Sequence, residues 1–561
     1  MAGHFSRRVC AALIGLVGLA PFALSADKAT PDLWAEYQET PDTHPNIPNC
    51  SYAGYRYGET PIPSIEGPVF DVTRYGAKGD GETDDTAAIR AALSAVGDEG
   101  GVVYFPEGRY AVSGVLFVHT NNTVLRGQSR DGTEIVFTQP LDRGYGTYFY
   151  TTTSGKVATR WTYSGGLVWF GPRSRGNTYR IDAAPDLPIR KGEFTERWLT
   201  AGDEAPLSTS AARGERVVRI ERPLGLKAGD FVMLRQTDPG DHSLVKHLAG
   251  GGEWAERYDW LHGRQGAAWP RPSPLQWVVE IAEVAEDGRT LTLRQPLRFD
   301  VRTEWRPTLQ ALGPLLSDSG IENMTLRFRR PYEWTPEMHH REEGWNGPYF
   351  NNAVNCWMRS VTLIDVDNGP NLSCAKLVTL ADFSIKAGSP RTMAHHHATI
   401  TRAASHDNLI TGFRIESRPW HGLNVESFSS GNVWSRGTLV HGVCDSHRKM
   451  PFECIRTDIT FETNEGRHGG GGGPLMGARF VNWNIRSYTD NNYMIGWANA
   501  MPSGAIVGLQ GCEPSWDAQA NRTPTGAISG CRIERPGATP FPPDLHRAQL
   551  EFRLAKTPAT P

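Results

Sequence analysis

The amino-acid sequence predicts an all-β chain wound as a parallel β-helix, a solenoid with one helix near its N-terminal end and a β-rich insertion between its coils. Two observations carry this expectation. The C-terminal half repeats short runs in which apolar and polar residues alternate, SVTLIDV, LVTLADFSI, NLITGFRI, GLNVESF, DITFET, ARFVNWNI and GAISGCRI, and alternation of period two marks a strand with one buried face. The runs recur at irregular intervals between Gly, Asn and Asp, as coils joined by turns and loops of unequal length require. An ordinary β-sandwich also yields short alternating strands and stands as the alternative.

The elements follow in chain order. Residues 1–26 combine Arg7 and Arg8, an apolar run from Ala11 to Leu24 and a small residue at Ala26, the pattern of a signal peptide, which places the mature chain in the periplasm or outside the cell. The apolar run is short for a membrane span, which needs about 20 residues. Residues 27–65 form a Pro-rich polar leader without a sustained period, expected to pack on something else. From Phe70 the text changes: FDVTRYGAKGDGETDDTAAIRAAL contains a strand, a Gly/Asp turn and an apolar periodicity from Thr86 to Leu93, a helix opened by Asp84 or Asp85. GGVVYFPEGRYAVSG and NNTVLRGQ continue as brief strands.

The order Tyr75-Gly76-Ala77-Lys78-Gly79-Asp80-Gly81, Asp84-Asp85-Thr86, Ile89, then Gly100-Gly101-Val102-Val103-Tyr104-Phe105-Pro106 resembles the opening of the pectate-lyase-like, polygalacturonase-related superfamily of right-handed parallel β-helices. The resemblance covers about residues 66–130 and implies that the helix caps the open end of the solenoid while GGVVYFP begins the first coil. It also implies an extracellular polysaccharide partner, although lyases, hydrolases and phage tailspike-like proteins share this opening.

Residues 66–140 are thus assigned to the start of the β-helix, and 346–535 to its C-terminal coils. Between them, 141–345 read as a β-rich insertion or a wall of long loops, with RVVRIERPLGLKAGDFVMLRQ and QWVVEIAEVAEDGRTLTLRQPLRFDV as strand pairs, the second turning at Asp287-Gly288. The Pro-rich tail, 536–561, is expected to be an extended trailer. Seven cysteines follow the signal peptide; Cys356/Cys374, Cys444/Cys454 and Cys512/Cys531 are close enough in sequence for bridges, and buried thiols are the equal alternative. No pair has zinc-ligand spacing.

With 58 basic and 61 acidic side chains, a formal charge of -3 provides no case for nucleic acid or membrane surfaces. Sixty glycines, 39 prolines and 17 tryptophans describe a chain rich in turns and in aromatic faces of the kind that suit sugar rings.

The densest run of ionisable groups extends from His395 to Lys449. Residues one coil apart lie one above another, so His421, His441 and the Asp445-Ser446-His447-Arg448-Lys449 run are expected to share a groove. The His395–His397 triplet is assigned to a solvated loop. Removal of the proton alpha to a uronate carboxylate needs a base, a cation and a proton donor: His421 or His447 is the candidate base, Lys449 the alternative, Asp445 the group that orients the imidazole and Arg448 the bidentate carboxylate clamp. His406, His441, Trp420 and Trp434 are candidates for substrate binding. The expected function is therefore a secreted polysaccharide lyase cleaving a uronic-acid-containing glycan by β-elimination.

Two rivals stand beside it. A glycoside hydrolase on the same scaffold needs two flanking carboxylates, and Asp365, Asp367, Asp382, Glu426 and Asp445 are available. Polygalacturonase-like enzymes carry Asn-x-Asp, Asp-Asp, Gly-His-Gly and Arg-x-Lys, of which Trp420-His421-Gly422 and Arg448-Lys449 keep only parts. The other rival is a noncatalytic glycan-binding β-helix. The resemblance makes Ca2+ a candidate cofactor, but no Asp-rich loop of the density oxygen ligation demands is visible, and no metal ligand is assigned.

Overall fold

In a strand, successive side chains point to opposite faces, and in a stacked parallel sheet the inward residue of one strand meets that of the next. The computed structural model, which describes residues 32–147, 149–151, 155, 157–173, 196–262, 269–447, 449–463, 473–489, 494–516 and 523–556, shows this arrangement throughout. A long sheet stacks Val69–Asp71, Gly101–Phe105, Thr123–Gly127, Gly320–Phe328, Trp357–Ile364, Thr379–Lys386, Leu409–Ile415, Val433–Leu439, Ile455–Phe461, Val481–Ser487, Ala505–Val507 and Arg532–Glu534 in parallel. A second sheet runs from Leu116–Val118 through Val168–Phe170, Tyr349–Val354, Asn371–Lys376, Ala394–Arg402 and Arg418–Val425 to Cys444–Ser446. The chain passes from one sheet to the other and back, making a right-handed parallel β-helix, the hand that parallel crossovers take.

Register explains the core. Ile321, Met358, Leu380, Ile410 and Trp434 occupy equivalent positions in consecutive coils and are all buried. Trp434 is thus a rung of this inward ladder and has no face to offer a sugar, contrary to its expected binding role. Each large apolar side chain buried in this ladder contributes roughly 1.5–3 kcal/mol.

The capping helix, Thr86–Ala95, turns Ile89, Ala92 and Leu93 into the cluster that contains Val103, Phe105 and Leu116. Its two aspartates divide the work. The Asp84 carboxylate accepts the Thr86 amide at 3.0 Å, while Asp85 accepts the Lys78 and Gly79 amides at 2.7 and 3.1 Å, folding the Gly-Asp-Gly turn back onto the helix start.

Residues 200–312 leave the solenoid as a six-stranded sheet in which the described pairings are antiparallel. The Asp287-Gly288 hairpin is present: Asp287 accepts the amides of Arg289 and Thr290 at 2.8 Å each, and Gly288 takes a φ of 63°. The expected interval of 141–345 is broader than this sheet, because Val168–Phe170 and Gly320–Phe328 already belong to the coils. Where the insertion meets the helix, charges are buried together. Asp407 binds both Lys376 and Arg298; Arg298 also pairs with Glu453 at 3.0 Å, and Glu453 takes Arg213 at 3.1 Å and Arg479 at 2.6 Å.

His406 belongs to this seam and has no access to a substrate. Its ring is fully buried, with Nδ1 3.0 Å from Ser430 Oγ and Nε2 3.0 Å from the Gln276 carbonyl. Burial, then the neighbouring Lys376 charge, pulls its pKa down to about 3 despite the opposing Asp407. The unfolded chain therefore takes up a proton that the folded chain refuses. The stability contributed by the neutral ring is complete above pH ~6.5 and is lost as pH falls toward 3. His406→Gln is predicted to flatten the fall in thermal midpoint between pH 6.5 and 4, and an unchanged slope in that variant refutes the assignment.

Two further expectations are corrected. The tail does not trail in extended form: Leu545–Lys556 is a helix, and Leu545 packs with Leu33, Trp34 and Tyr37 of the leader against Val433, Ile455 and Trp483 on the long sheet. The seven cysteines from Cys50 to Cys531 are free and buried, so the expected bridges are absent among the described residues. Cys356 and Cys454 act as small apolar residues in the core, their thiols facing the carbonyls of Val354 and Phe452 two residues earlier. The signal segment and Gly469–Gly472 lie outside the described residues. Among those described, no helix is long and apolar enough to cross a membrane.

Candidate functional site

The second sheet carries a polar ladder at one of its positions. Asn346, Asn368, His397 and His421 are in register on successive coils. Asn368 donates to Asn346 Oδ1 at 2.7 Å, its own Oδ1 lies 2.7 Å from His397 Nδ1, and the rings of His397 and His421 stack at 4.7 Å. One coil further on, Asn424 pairs with Asp445, and the Asp445 carboxylate closes the ladder. It accepts Asn424 Nδ2 at 2.5 Å and faces His421 Nδ1 at 3.2 Å and His447 Nδ1 at 3.8 Å. Burial alone would raise the Asp445 pKa, but the imidazoles of His421 and His447 outweigh it and hold the carboxyl well below its usual range.

A cleft of about 550 Å³ opens over this sheet, lined by Tyr163, His339, His340, His396, His397, Ile400, Arg402, His421, Asn424, Glu426 and His447. The segment after Thr335 brings His339 against His396, ring centroids 4.7 Å apart, and the His396 Nδ1 faces Glu342 at 2.8 Å. Burial, reinforced by neighbouring rings, drives the pKa values of His339, His396 and His397 well down, so these imidazoles are neutral at pH 7. Burial likewise pushes Glu342 up to about 7, against hydrogen bonds from Thr162 and Trp334.

Arg402 is the guanidinium of the cleft among the described residues. It is engaged by Glu196 at 3.1 Å and Glu426 at 2.8 Å, and it lies 4.8 Å from the Tyr163 ring. Its charge is therefore already matched by two carboxylates before any acidic ligand arrives.

Of the sequence-predicted groups, the structure gathers His421, Asp445 and His447. Arg448 lies outside the described residues. Lys449 is half-buried, with its carbonyl accepting the Phe428 amide, and does not line the cleft. His441 sits beyond the end of a long-sheet strand, its Nδ1 3.2 Å from Thr463 Oγ1. Trp420 backs the wall instead of lining it: it packs at 5.9 Å on Trp334, which stacks on His396 at 5.4 Å. His395–His397, expected in a solvated loop, belong to the strand Ala394–Arg402 and are buried.

The hydrolase carboxylates are not brought together. Asp382 belongs to the long sheet and accepts from the Ser360 hydroxyl and Arg130, and Asp365, just past the end of the neighbouring strand, accepts the Gly388 amide. Asp367 is sealed under Tyr332 and Trp345. Glu426 is held by Arg402.

Sequence reading missed His339, His340, Tyr163, Arg402 and Glu342. The His339-His340 pair was visible as a doublet, but in a stretch assigned to the insertion.

Comparison with known proteins locates part of this architecture. Residues 69–162 match the family model described as rhamnogalacturonase A/epimerase, pectate lyase-like, which covers the cap and first coils. Over 46 residues the chain is 56% identical to alginate lyase 7 of Azotobacter vinelandii, 8% of this chain and 5% of that protein. A match of the same length and identity to mannuronan C5-epimerase AlgE3 of that organism covers 8% and 2%. The chain thus spans a small part of either relative's length. Among solved structures, the tailspike protein gp49 from Pseudomonas phage LKA1 aligns with 79% of this chain and 63% of its own at 13% identity and a TM-score of 0.46. The A-module of Azotobacter vinelandii mannuronan C-5 epimerase AlgE6 aligns with 79% and 74% at 12% identity and a TM-score of 0.34. The fold is a right-handed parallel β-helix of the pectate-lyase-like kind.

Proposed function

We propose that this protein is an exported polysaccharide lyase that cleaves a uronic-acid-containing glycan by β-elimination in the His421–Asp445–His447 cleft. The observation that carries this reading is the Asp445 carboxylate, buried and facing the Nδ1 atoms of both imidazoles at 3.2 and 3.8 Å. A carboxylate facing Nδ1 favours the proton on that nitrogen and leaves Nε2 as the basic one, the tautomer a general base requires. Of the two imidazoles, His447 is the base: its side chain is 26% exposed, against 1% for His421, so it is the one a polymer reaches.

The chemistry balances on this chain's own groups. His447 Nε2 takes the proton from the carbon alpha to the uronate carboxylate, the electron pair forms the new carbon–carbon double bond, and the glycosidic bond beta to the carboxylate breaks. The imidazolium returns its proton to the departing oxygen. Asp445 stabilises the imidazolium while it exists, and His421 keeps Asp445 in position. Hydrolysis is less well supported, because the carboxylates available for it are either engaged by arginine or distributed over other faces. The names of the curated relatives agree with proton abstraction at a uronate, and one of them adds a second fate for the same carbanion, reprotonation with inversion. Export rests on the apolar segment between Ala11 and Leu24.

The test is incubation of the purified chain with a panel of acidic polysaccharides, alginate and pectate among them. A lyase produces ultraviolet absorbance from an unsaturated uronate together with new chain ends. New reducing ends without that absorbance make it a hydrolase, inversion seen by proton NMR makes it an epimerase, and binding without any product leaves a glycan-binding β-helix.

A further inference from the structure

The strongest unexplained feature of the cleft is the ring of His396. It is fully buried, its Nδ1 faces the Glu342 carboxylate at 2.8 Å, and neither ring nitrogen makes a hydrogen bond. A buried nitrogen left without a partner costs about 1–3 kcal/mol, so the site exacts a penalty that something must offset. His339 and His421 present ligand nitrogens to the same point: one such atom from each of His339, His396 and His421 lies within 4.8 Å of the others.

We propose that His339, His396 and His421 form a binding site for a divalent transition-metal ion of the zinc class. Three imidazoles are a nitrogen donor set, which suits zinc and its neighbours and not calcium or magnesium. Metal-bound histidines characteristically place a carboxylate on the ring nitrogen that does not bind the metal. Two of these three do so, His396 toward Glu342 at 2.8 Å and His421 toward Asp445 at 3.2 Å. The cleft leaves the fourth side open, as a reactive three-ligand site requires. A second set, His421, Asp445 and His447, also converges, but its carboxylate already serves Asn424 and two imidazoles, so it holds the metal-binding ring in place instead of competing for the ion.

The inference rests on the lyase reading only for its purpose. Arg402 is matched by Glu196 and Glu426, and an ion at the open position supplies the positive charge that a uronate carboxylate needs as its alpha proton leaves. His447, outside the triad, remains the base.

The test uses the full-length chain, purified without a polyhistidine tag, stripped with a chelator and titrated calorimetrically with zinc chloride, with calcium chloride in parallel. The expected result is one zinc per chain and no comparable calcium binding. The cobalt(II) form should show the intense visible bands of a tetrahedral nitrogen site. His396→Ala and His339→Ala are each expected to weaken zinc binding by at least about 100-fold, and Glu342→Gln by roughly 10- to 100-fold, while the exposed His262→Ala leaves it unchanged. His339 is half-buried, so its truncation tests the site even if the His396 variant fails to fold.

A folded wild-type chain that takes up no zinc, or zinc uptake indifferent to both histidine variants, overturns the proposal. Because the titration needs no substrate, a chain that turns over a uronate but takes up no zinc sinks the metal site alone, and a zinc-loaded chain without turnover on any uronate sinks the lyase reading alone.

Discussion

Asp445→Asn is expected to lower turnover of the uronate substrate by about 10²- to 10⁴-fold while leaving the protein folded. The side chain is fully buried and touches Asn424, His421 and His447. The amide fills nearly the same volume, but it removes the negative charge that stabilises an imidazolium. It also turns one acceptor into a donor, so a ring that keeps its contact must present a bare Nδ1 and carry its proton on Nε2, the wrong tautomer for a base. His447→Ala removes the base outright and should fall as far. The decisive comparison is kcat against thermal midpoint. A variant that melts like the parent and retains turnover within threefold would show that Asp445 serves only the fold.

The second large effect lies away from the chemistry. Asp407→Ala is expected to cost about 3–5 kcal/mol, because it strands the fully buried Lys376 charge without a carboxylate and takes one of two carboxylates from the almost fully buried Arg298. Those two residues come from the helix wall and from the insertion, so the loss should loosen the seam between them first. Amide hydrogen exchange along Leu275–Val284 and Asn371–Lys376 reads this directly. Pairing the change with Lys376→Met should recover part of the loss, since the cost comes from a buried charge without its partner and not from a missing contact. An Asp407→Ala protein whose urea midpoint matches the parent would remove the basis for treating this network as the clasp of the insertion.

The site was legible to the extent that stacking could be inferred. His421 and the Asp445–His447 stretch were assigned to one wall because a solenoid superposes residues from successive coils, and the register His397 to His421 and Asn424 to Asp445 does so. Trp434 and His406 were misplaced for a related reason. Alternation shows that a strand has two faces without showing which one is inside, and Trp434 fell on the inner one, while His406, past the end of its strand, is sealed by the docked insertion. The His395–His397 triplet looked like solvent because three polar rings in a row are costly to bury. The fold meets part of that cost with Asn368 on His397, with Ser417 on His395 at 2.9 Å and with Glu342 facing His396, and partners 22 or more residues away leave no local trace.

What the order of residues settled unaided is the architecture: turn chemistry at Gly79–Gly81, the aspartates before Thr86 and period-two alternation from Ser360 to Ile533 are all properties of neighbours along the chain. The cleft's other wall was beyond that reach. His339, His340 and Tyr163 reach it from segments whose own patterns resemble loops, and they meet because coil closure brings them over the second sheet. Local sequence dictates which backbone shape is cheapest, but which side chains then face one another is set by the packing of distant turns, and that information appears only when the solenoid is closed.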